Sequence, residues 1–558
     1  MKRITLFLLL APSVATQAQF SFTTNHGAIT ITGYTGSQGS VVIPSMINGW
    51  PVTGIGNSAF YNLADVTNVV IPDGVGNIDI QAFVGTGLTS IAIPDSVTNI
   101  GQSAFLDCSS LTSVTLGQSL ASIGDYAFGG CPNLTNIFLP KSITNLVATA
   151  FNECPGLTNI TADAENPAYS SLAGVLFDKN LTKLVNYPGG RAGNYAIPPG
   201  VTSIGDFVCA FSPKLTGVTF PDGITNIGKY AFSNCILTNL VLPANLIDIE
   251  ANAFGGCANL KSVIIPDGVT TIGAGAFSGN NATNVIIPAG VTNLGPAAFS
   301  GYRLVAIDVA AGNPAYSSAG GVLFDLGGTT LVEFPAGRSG TVFKPGSYVI
   351  PNGVTSIGDG AFEGCNLGSA TLPGGVTNIG DFAFSECSFL TNLTIPDRVT
   401  YIGNEAFSVT AVTNLTIPAS VTTLGSLGEC PDLRGIYFLG DAPAPVAGIQ
   451  FASFIENITA YYLPGTTGWG AYFQSTYPEV LWLPQAGNGG GSPDVRTNQF
   501  GFNIDWAAGR TVVVDACTNL SAPDWLPVQT NVLAGGSAYF SDPQWVNYSN
   551  RFYRLRPL

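Results

Sequence analysis

Apolar positions along this chain recur in one phrase, IGxxAFxxCxxLTxVxIPxxVTxIG, about every 22 or 23 residues. Nearly intact copies read IGDYAFGGCPNLTNIFLPKSITNL from Ile123 and IGDFAFSECSFLTNLTIPDRVTYIG from Ile379. A period of that size predicts a solenoid, because one such coil cannot bury its apolar face alone and must stack on its neighbours. Within LTxVxIP the apolar residues alternate near the end, as at Val114 and Leu116 or Leu393 and Ile395. Alternation predicts a strand with the intervening side chains outward, and strands of successive coils form a parallel sheet. A proline follows each strand (Pro94, Pro140, Pro266, Pro396) and ends the pairing, since it has no N–H to donate. The next apolar pair, Val97 and Ile100 or Val269 and Ile272, plugs the coil interior. Gly101, Gly124, Gly273 and Gly380 then permit a tight turn. The AF pair closes the coil, its phenylalanine filling the width: Phe60, Phe83, Phe105, Phe128, Phe151, Phe211, Phe232, Phe254, Phe277, Phe299, Phe362, Phe384 and Phe407.

Two places break the period alike. NPAYSSLAGVLFDKNLTKLV follows Phe151 and NPAYSSAGGVLFDLGGTTLV follows Phe299, and each has two apolar runs around a turn, which predicts a hairpin. The organisation read from the chain is a signal peptide over residues 1–18, an N-terminal cap over 19–40 and a solenoid over 41–440. The solenoid has about 14 coils, with hairpin-bearing ones near 161–200 and 308–353. Its last unit lacks the AF pair and reads as a capping coil, with Tyr437 and Phe438 shielding the end. A C-terminal cap and extension covers 441–484, and a Gly-rich linker covers 485–494. Four or five aliphatic–aromatic strand signals in 495–558 predict a small all-β module. The start MKRITLFLLLAPSVATQAQ joins a basic start, an apolar run and small residues near Ala15 and Ala18, the pattern of a secretory leader. No cysteine follows it until Cys108, which argues against a lipid anchor, and no later run is long enough for a membrane helix. The chain reads as exported, to the cell surface or beyond.

Charged residues are only 9% of the chain, far below the roughly 25% of an ordinary soluble domain, so Thr, Ser, Asn and Gly must build the surface. With a formal charge of −15 and no evident Lys/Arg patch, nucleic acid and anionic membranes are poor partners. The outward strand positions form an almost uncharged ladder that includes Asn136, Phe138, Asn239, Val241, Asn392 and Thr394. Two readings stand for it: a hydrogen-bonding docking face, or soluble decoration of a flat sheet.

Catalytic signatures are missing. Cys108, Cys131, Cys154, Cys235, Cys257, Cys365 and Cys387 each stand three residues after the repeated phenylalanine. One thiol per coil does not converge on a tetrahedral metal site, and the row reads as buried and reduced, with disulfides between neighbouring rungs as the rival. The one histidine, His26, precedes the first full repeat and reads as a turn residue; no nucleophile stands at a diagnostic spacing from it. Asp73, Asp95, Asp222, Asp267 and Asp397 recur after the strand proline, as turn residues do, rather than as a paired acid and base. Neither GxGxxG nor GxxxxGKS/T occurs in its phosphate-binding context. No catalytic residue, metal or cofactor is expected.

The phrase LxxVxIPxxVTxIGxxAFxxC resembles the BspA-like class of leucine-rich repeats of bacterial and some protist surface proteins, over about residues 41–440. The resemblance implies a right-handed horseshoe or gently curved solenoid, and this chain departs from long-helix leucine-rich repeats in that its convex side is short turns and AF-type segments. It further implies exposure at or beyond the cell surface, and adhesion to protein or matrix. The end of the chain, RFYRL, resembles a C-terminal module of large secreted proteins of Verrucomicrobia-like bacteria, for which a sorting or attachment role is implied. The expected function is a non-catalytic binding scaffold that recognises an extracellular protein or glycan through the concave sheet. A self-associating structural protein is the first alternative, and a carbohydrate-active enzyme with a substrate-delivering solenoid is the second.

Overall fold

The structure, a computed structural model, describes residues 19–37, 39–301, 303–341, 344–445, 458–469, 478–486, 494–496, 499–519 and 524–558. The expected signal peptide and residues 487–493 of the expected linker lie outside the described residues. The chain forms two compact units, residues 1–328 with 332–338, and residues 329–331 with 339–558.

The first unit opens with an antiparallel hairpin, Phe20–Asn25 with Ala28–Tyr34. His26 and Gly27 make its turn at φ 47° and 80°. Ala28–Tyr34 then starts a parallel ladder through Trp50–Ile55, Asn77–Ile78, Asn99–Ile100, Ser122–Ile123 and Asn145–Leu146. These rungs come from the VTxIG part of the phrase, so that segment pairs continuously as well as plugging the interior. The LTxVxIP strands pair in shorter runs, such as Asn136–Leu139 with Asn159–Ala162 and Ser113–Thr115 with Ser90–Ala92. Between a strand of the one kind and the next of the other, the proline carbonyl accepts a turn bond, as from Val97 N to Pro94 O at 3.1 Å and from Val269 N to Pro266 O at 3.1 Å.

The AF segments make a third row. Phe60, Phe83 and Phe105 donate their N–H to Ala82, Ala104 and Ala127 of the following coil at 2.7, 2.7 and 2.8 Å. Their rings stack at centroid spacings of 4.8 Å for Phe60–Phe83 and 5.1 Å for both Phe83–Phe105 and Phe105–Phe128. Residues flanking each pair take the left-handed conformation, among them Ser58, Gln81, Ser103, Tyr126 and Tyr230 at φ between 49° and 58°. Non-glycine residues rarely sit there, and here stacking on neighbouring coils holds them.

The repeat glycines also permit close approach, since a Cβ on Gly101 would lie 2.8 Å from Asp79 C, and one on Gly273 only 2.3 Å from Ala251 N. Two expectations are corrected. Phe211 is not in register with the other phenylalanines. Cys209 takes that place, donating its N–H to Ala231 O at 2.7 Å, while Phe211 is left-handed and exposed. The coil count also rises: three parallel ladders of six rungs each are described, against about 14 coils expected, because several coils carry no AF pair.

Each hairpin coil adds an antiparallel strand before the two that the sequence reading expected. In the first copy Tyr169–Leu172 pairs with Val175–Asp178, which pairs with Lys183–Asn186, and the last strand rejoins the parallel ladder at Ser203–Ile204. The NPAYSS phrase docks this strand on earlier coils. Asn166, fully buried, donates from Nδ2 to Pro140 O and Ile143 O at 3.0 and 2.9 Å, and its Oδ1 accepts from Ala168 N and Tyr169 N at 2.9 and 2.8 Å. Asn313 makes the same four bonds in the second copy.

In the second unit the ladder Ser356–Ile357, Asn378–Ile379, Tyr401–Ile402 and Thr423–Leu424 repeats the design. Strand Gly435–Phe438 is not the last rung. Pairing runs on through Thr459–Tyr462 to Glu479–Leu481, so Tyr437 stacks on Tyr461 at 4.8 Å instead of shielding an end. Two antiparallel sheets follow. Gln499–Asp505 pairs with Ser537–Asp542, and Arg510–Cys517 lies between Leu526–Leu533 and Phe552–Pro557. Their shared core holds Phe502, Ile504, Val512, Val514 and Phe540, with Leu463 of the preceding coils. Arg551, Arg554 and Arg556 lie on this module, Arg551 paired with Asp542 and the other two with Asp515.

Candidate binding face

All six residues singled out on the outward strand rows are exposed, with Phe138 at 48% and Val241 at 78%. Strand alternation sets this: Ile137 and Leu139 are buried on either side of Phe138. The six fall in separate strand pairings. Asn136 and Phe138 lie opposite Asn159 and Thr161; Asn239 lies opposite Gly217; Asn392 lies opposite Ser369 in the second unit. Three separate hydrogen-bonded sheets hold these four, and Val241 and Thr394 follow just past the strand ends at Leu240 and Leu393.

The row does contain an apolar stretch centred elsewhere. Val241, Ile264 and Ile286 occupy the same outward position on consecutive coils, at 78%, 78% and 61% exposure. Thr219 precedes them in the row and Asp308, opposite Ile286, follows. Beside Ile264 and Ile286 lies a depression of about 450 Å³ bordered by Lys261, Asp267, Thr283 and Pro288. Ile264 escaped the sequence reading although its phrase, SVIIP, has the same alternation as NVIIP at Ile286. A contiguous exposed aliphatic row costs solubility and commonly marks an interaction surface.

The cysteine row is structural in this arrangement. All ten cysteines are buried with no disulfide. The thiols donate to main-chain carbonyls one coil back, as from Cys108 to Phe83 O at 3.2 Å, Cys154 to Phe128 O at 3.0 Å and Cys257 to Phe232 O at 3.1 Å. Where threonine replaces cysteine, Thr86 and Thr410 bond the phenylalanine carbonyl of their own coil, at 3.0 and 2.8 Å. Burial pushes the thiols of Cys154, Cys257 and Cys387 up to about 12, so they carry no thiolate at neutral pH. Thiol titration of the native protein should therefore label very few cysteines, and in denaturant most of the ten. Mass spectrometry that found Cys108 joined to Cys131 in most molecules would contradict this.

The recurring aspartates sit in turns; Asp95, for example, accepts from Gln118 N of the next coil at 2.7 Å. Among the described residues no group of three or more His, Cys, Asp or Glu is placed to hold a metal ion. One acidic pair is strained. Burial, and then the adjacent Glu386, raise the Glu363 carboxyl above its ordinary value. A raised acid favours its neutral form in the fold, so the stability it adds is complete below the unfolded value near 4.3 and is lost as pH rises. Glu363→Gln should accordingly raise the denaturant midpoint at pH 7, and the gain should vanish near pH 4; equal midpoints at pH 7 would contradict the assignment.

The family described as "BspA type Leucine rich repeat region (6 copies)" matches residues 53–173, 191–305 and 344–440. Among solved structures, the pneumococcal vaccine antigen PcpA is 18% identical, aligning 69% of this chain with 91% of its own at a TM-score of 0.39. A leucine-rich cell surface protein of Faecalibacterium prausnitzii is 24% identical over 76% of this chain and 94% of its own, with a TM-score of 0.29. A leucine-rich repeat protein of Bacteroides ovatus is 24% identical over 83% and 97%, with a TM-score of 0.30. No curated protein matches the sequence. No helix among the described residues is long and apolar enough to cross a membrane.

Proposed function

Since this chain belongs to the BspA-type leucine-rich repeat family, we propose that it is an exported, non-catalytic scaffold that binds an extracellular protein or glycan through the outward strand face of its solenoid. The observation that carries this reading is the row of exposed, nearly uncharged side chains, with Phe138 in one sheet and the aliphatic run Val241, Ile264 and Ile286 on consecutive coils. Such a surface attracts by shape, apolar contact and hydrogen bonds from Asn136, Asn239, Asn392 and Thr394, with little electrostatic steering. In this reading the C-terminal module sorts or attaches the protein.

An array of extracellular proteins and glycans tests the proposal. Saturable binding at micromolar affinity or tighter to a non-self partner, changing little between low salt and ~0.5 M salt, is the expected result. Concentration-dependent oligomers with no foreign ligand would favour the self-associating alternative, and turnover of a glycan would establish an enzyme.

A further inference from the structure

The last strand of the chain builds a charged site that shares no residue with the outward strand rows. Arg554 lies opposite Asp515 in the pairing of Phe552–Pro557 with Arg510–Cys517. The Asp515 carboxylate is buried, and its Oδ2 accepts from Nε of both Arg554 and Arg556, at 3.0 and 2.9 Å. Its Oδ1 has no partner among the described residues. Each guanidinium spends its Nε on Asp515; the Nη groups of both have no partner among the described residues, and the side chains are 47% and 42% exposed. The Arg554 guanidinium also lies over the Trp525 ring, 4.7 Å from its centroid. Arg551, held by Asp542 at 2.6 Å, borders the adjoining groove of about 610 Å³ with Phe500, Trp525 and Tyr553.

Asp515 offsets only one of the two positive charges, and an oxyanion bridging the outward Nη groups would add charge-assisted bonds to the other. A buried carboxylate below both forks and an indole under that of Arg554 hold them in place before any ligand arrives, which lowers the entropy cost of binding. The size of the ligand follows from the distribution of charge. Residues 485–558 carry five arginines and five aspartates, so the formal −15 belongs wholly to the rest of the chain and works against a long polyanion. The aromatic faces lining the groove suit a ring with an apolar side.

We propose that Arg554 and Arg556, positioned by Asp515 and Trp525, bind the carboxylate or sulfate of a single acidic sugar whose ring packs in the neighbouring aromatic groove. The test is titration of the full chain at low salt with glucuronic acid, glucose 6-sulfate, glucose, inorganic sulfate and an acidic peptide. Both acidic sugars should bind, glucose should not, and inorganic sulfate should bind more weakly than glucose 6-sulfate. Removing the arginines alone strands the buried Asp515 charge and risks unfolding. The neutral triple variant D515N/R554Q/R556Q avoids this and should lose at least ~10-fold in acidic-sugar affinity while its thermal unfolding stays cooperative. Trp525→Ala should weaken the sugars and spare inorganic sulfate. Equal binding of glucose and glucuronic acid, or a folded triple variant that binds as the parent does, would overturn the site. Inorganic sulfate or the acidic peptide binding as tightly as the sugars would overturn the sugar assignment.

Discussion

Phe254→Ala should destabilise the first unit by about 3–5 kcal/mol, the usual cost of removing a large aromatic side chain from a tight core. Phe254 is completely buried and stacked between Phe232 and Phe277, each at 5.3 Å and nearly parallel. Its N–H is spent on Ala276 O at 2.8 Å, so the coil cannot easily slide to refill the space. In a solenoid each coil contacts only its neighbours, and the damage should spread outward from residue 254. Hydrogen exchange should show the loss first at Ala253 and Ala276, and urea unfolding should shift to lower concentration. A curve within error of the parent would mean that the phenylalanine register is misassigned.

Asn166→Ala should be the second large effect, at about 3 kcal/mol. The side chain satisfies four main-chain groups, two carbonyls of an earlier coil and two N–H groups at the start of the hairpin coil. Deleting it leaves those groups buried without partners, each costing roughly 1–3 kcal/mol before relaxation. Asn166→Asp should fare no better at neutral pH, because a carboxylate would face the carbonyls of Pro140 and Ile143. Tyr169→Phe, by contrast, removes only the hydroxyl that accepts from Leu146 N at 3.1 Å and should cost about 1 kcal/mol. Denaturant unfolding of the three variants checks the order, and an Asn166→Ala midpoint equal to that of Tyr169→Phe would contradict it.

Much of this architecture is legible from spacing alone. The phase of the strands, the inward and outward residues around Phe138 and the burial of the cysteine row all follow from the period. The hairpin coils are legible from their two apolar runs, but their third strand is not, because YSS is polar and is held by Asn166 rather than by its own hydrophobicity. Phe211 misleads because CAFSP imitates the AF pair; register is counted from Ile204, which pairs with Ile227, and that count places Cys209 in the core. The left-handed residues at Ser58, Gln81 and Tyr126 carry no glycine or asparagine signal, since coil stacking and not local preference imposes them. On the face, Val241 was legible but Ile264 was not singled out, so the aliphatic run was seen only in part. The arginine pair was missed for a related reason: positions 554 and 556 share a side only once 552–557 is known to be a strand.

The most direct test of the central claim joins Phe138→Asp with Val241→Asp and measures affinity for the partner found on the array. Both side chains point away from the coil interior, so the double variant should unfold as the parent does. Its affinity should fall at least ~10-fold, because a charge replaces an exposed aromatic and an exposed aliphatic anchor. A folded double variant that binds as tightly as the parent would contradict the outward strand face as the binding surface.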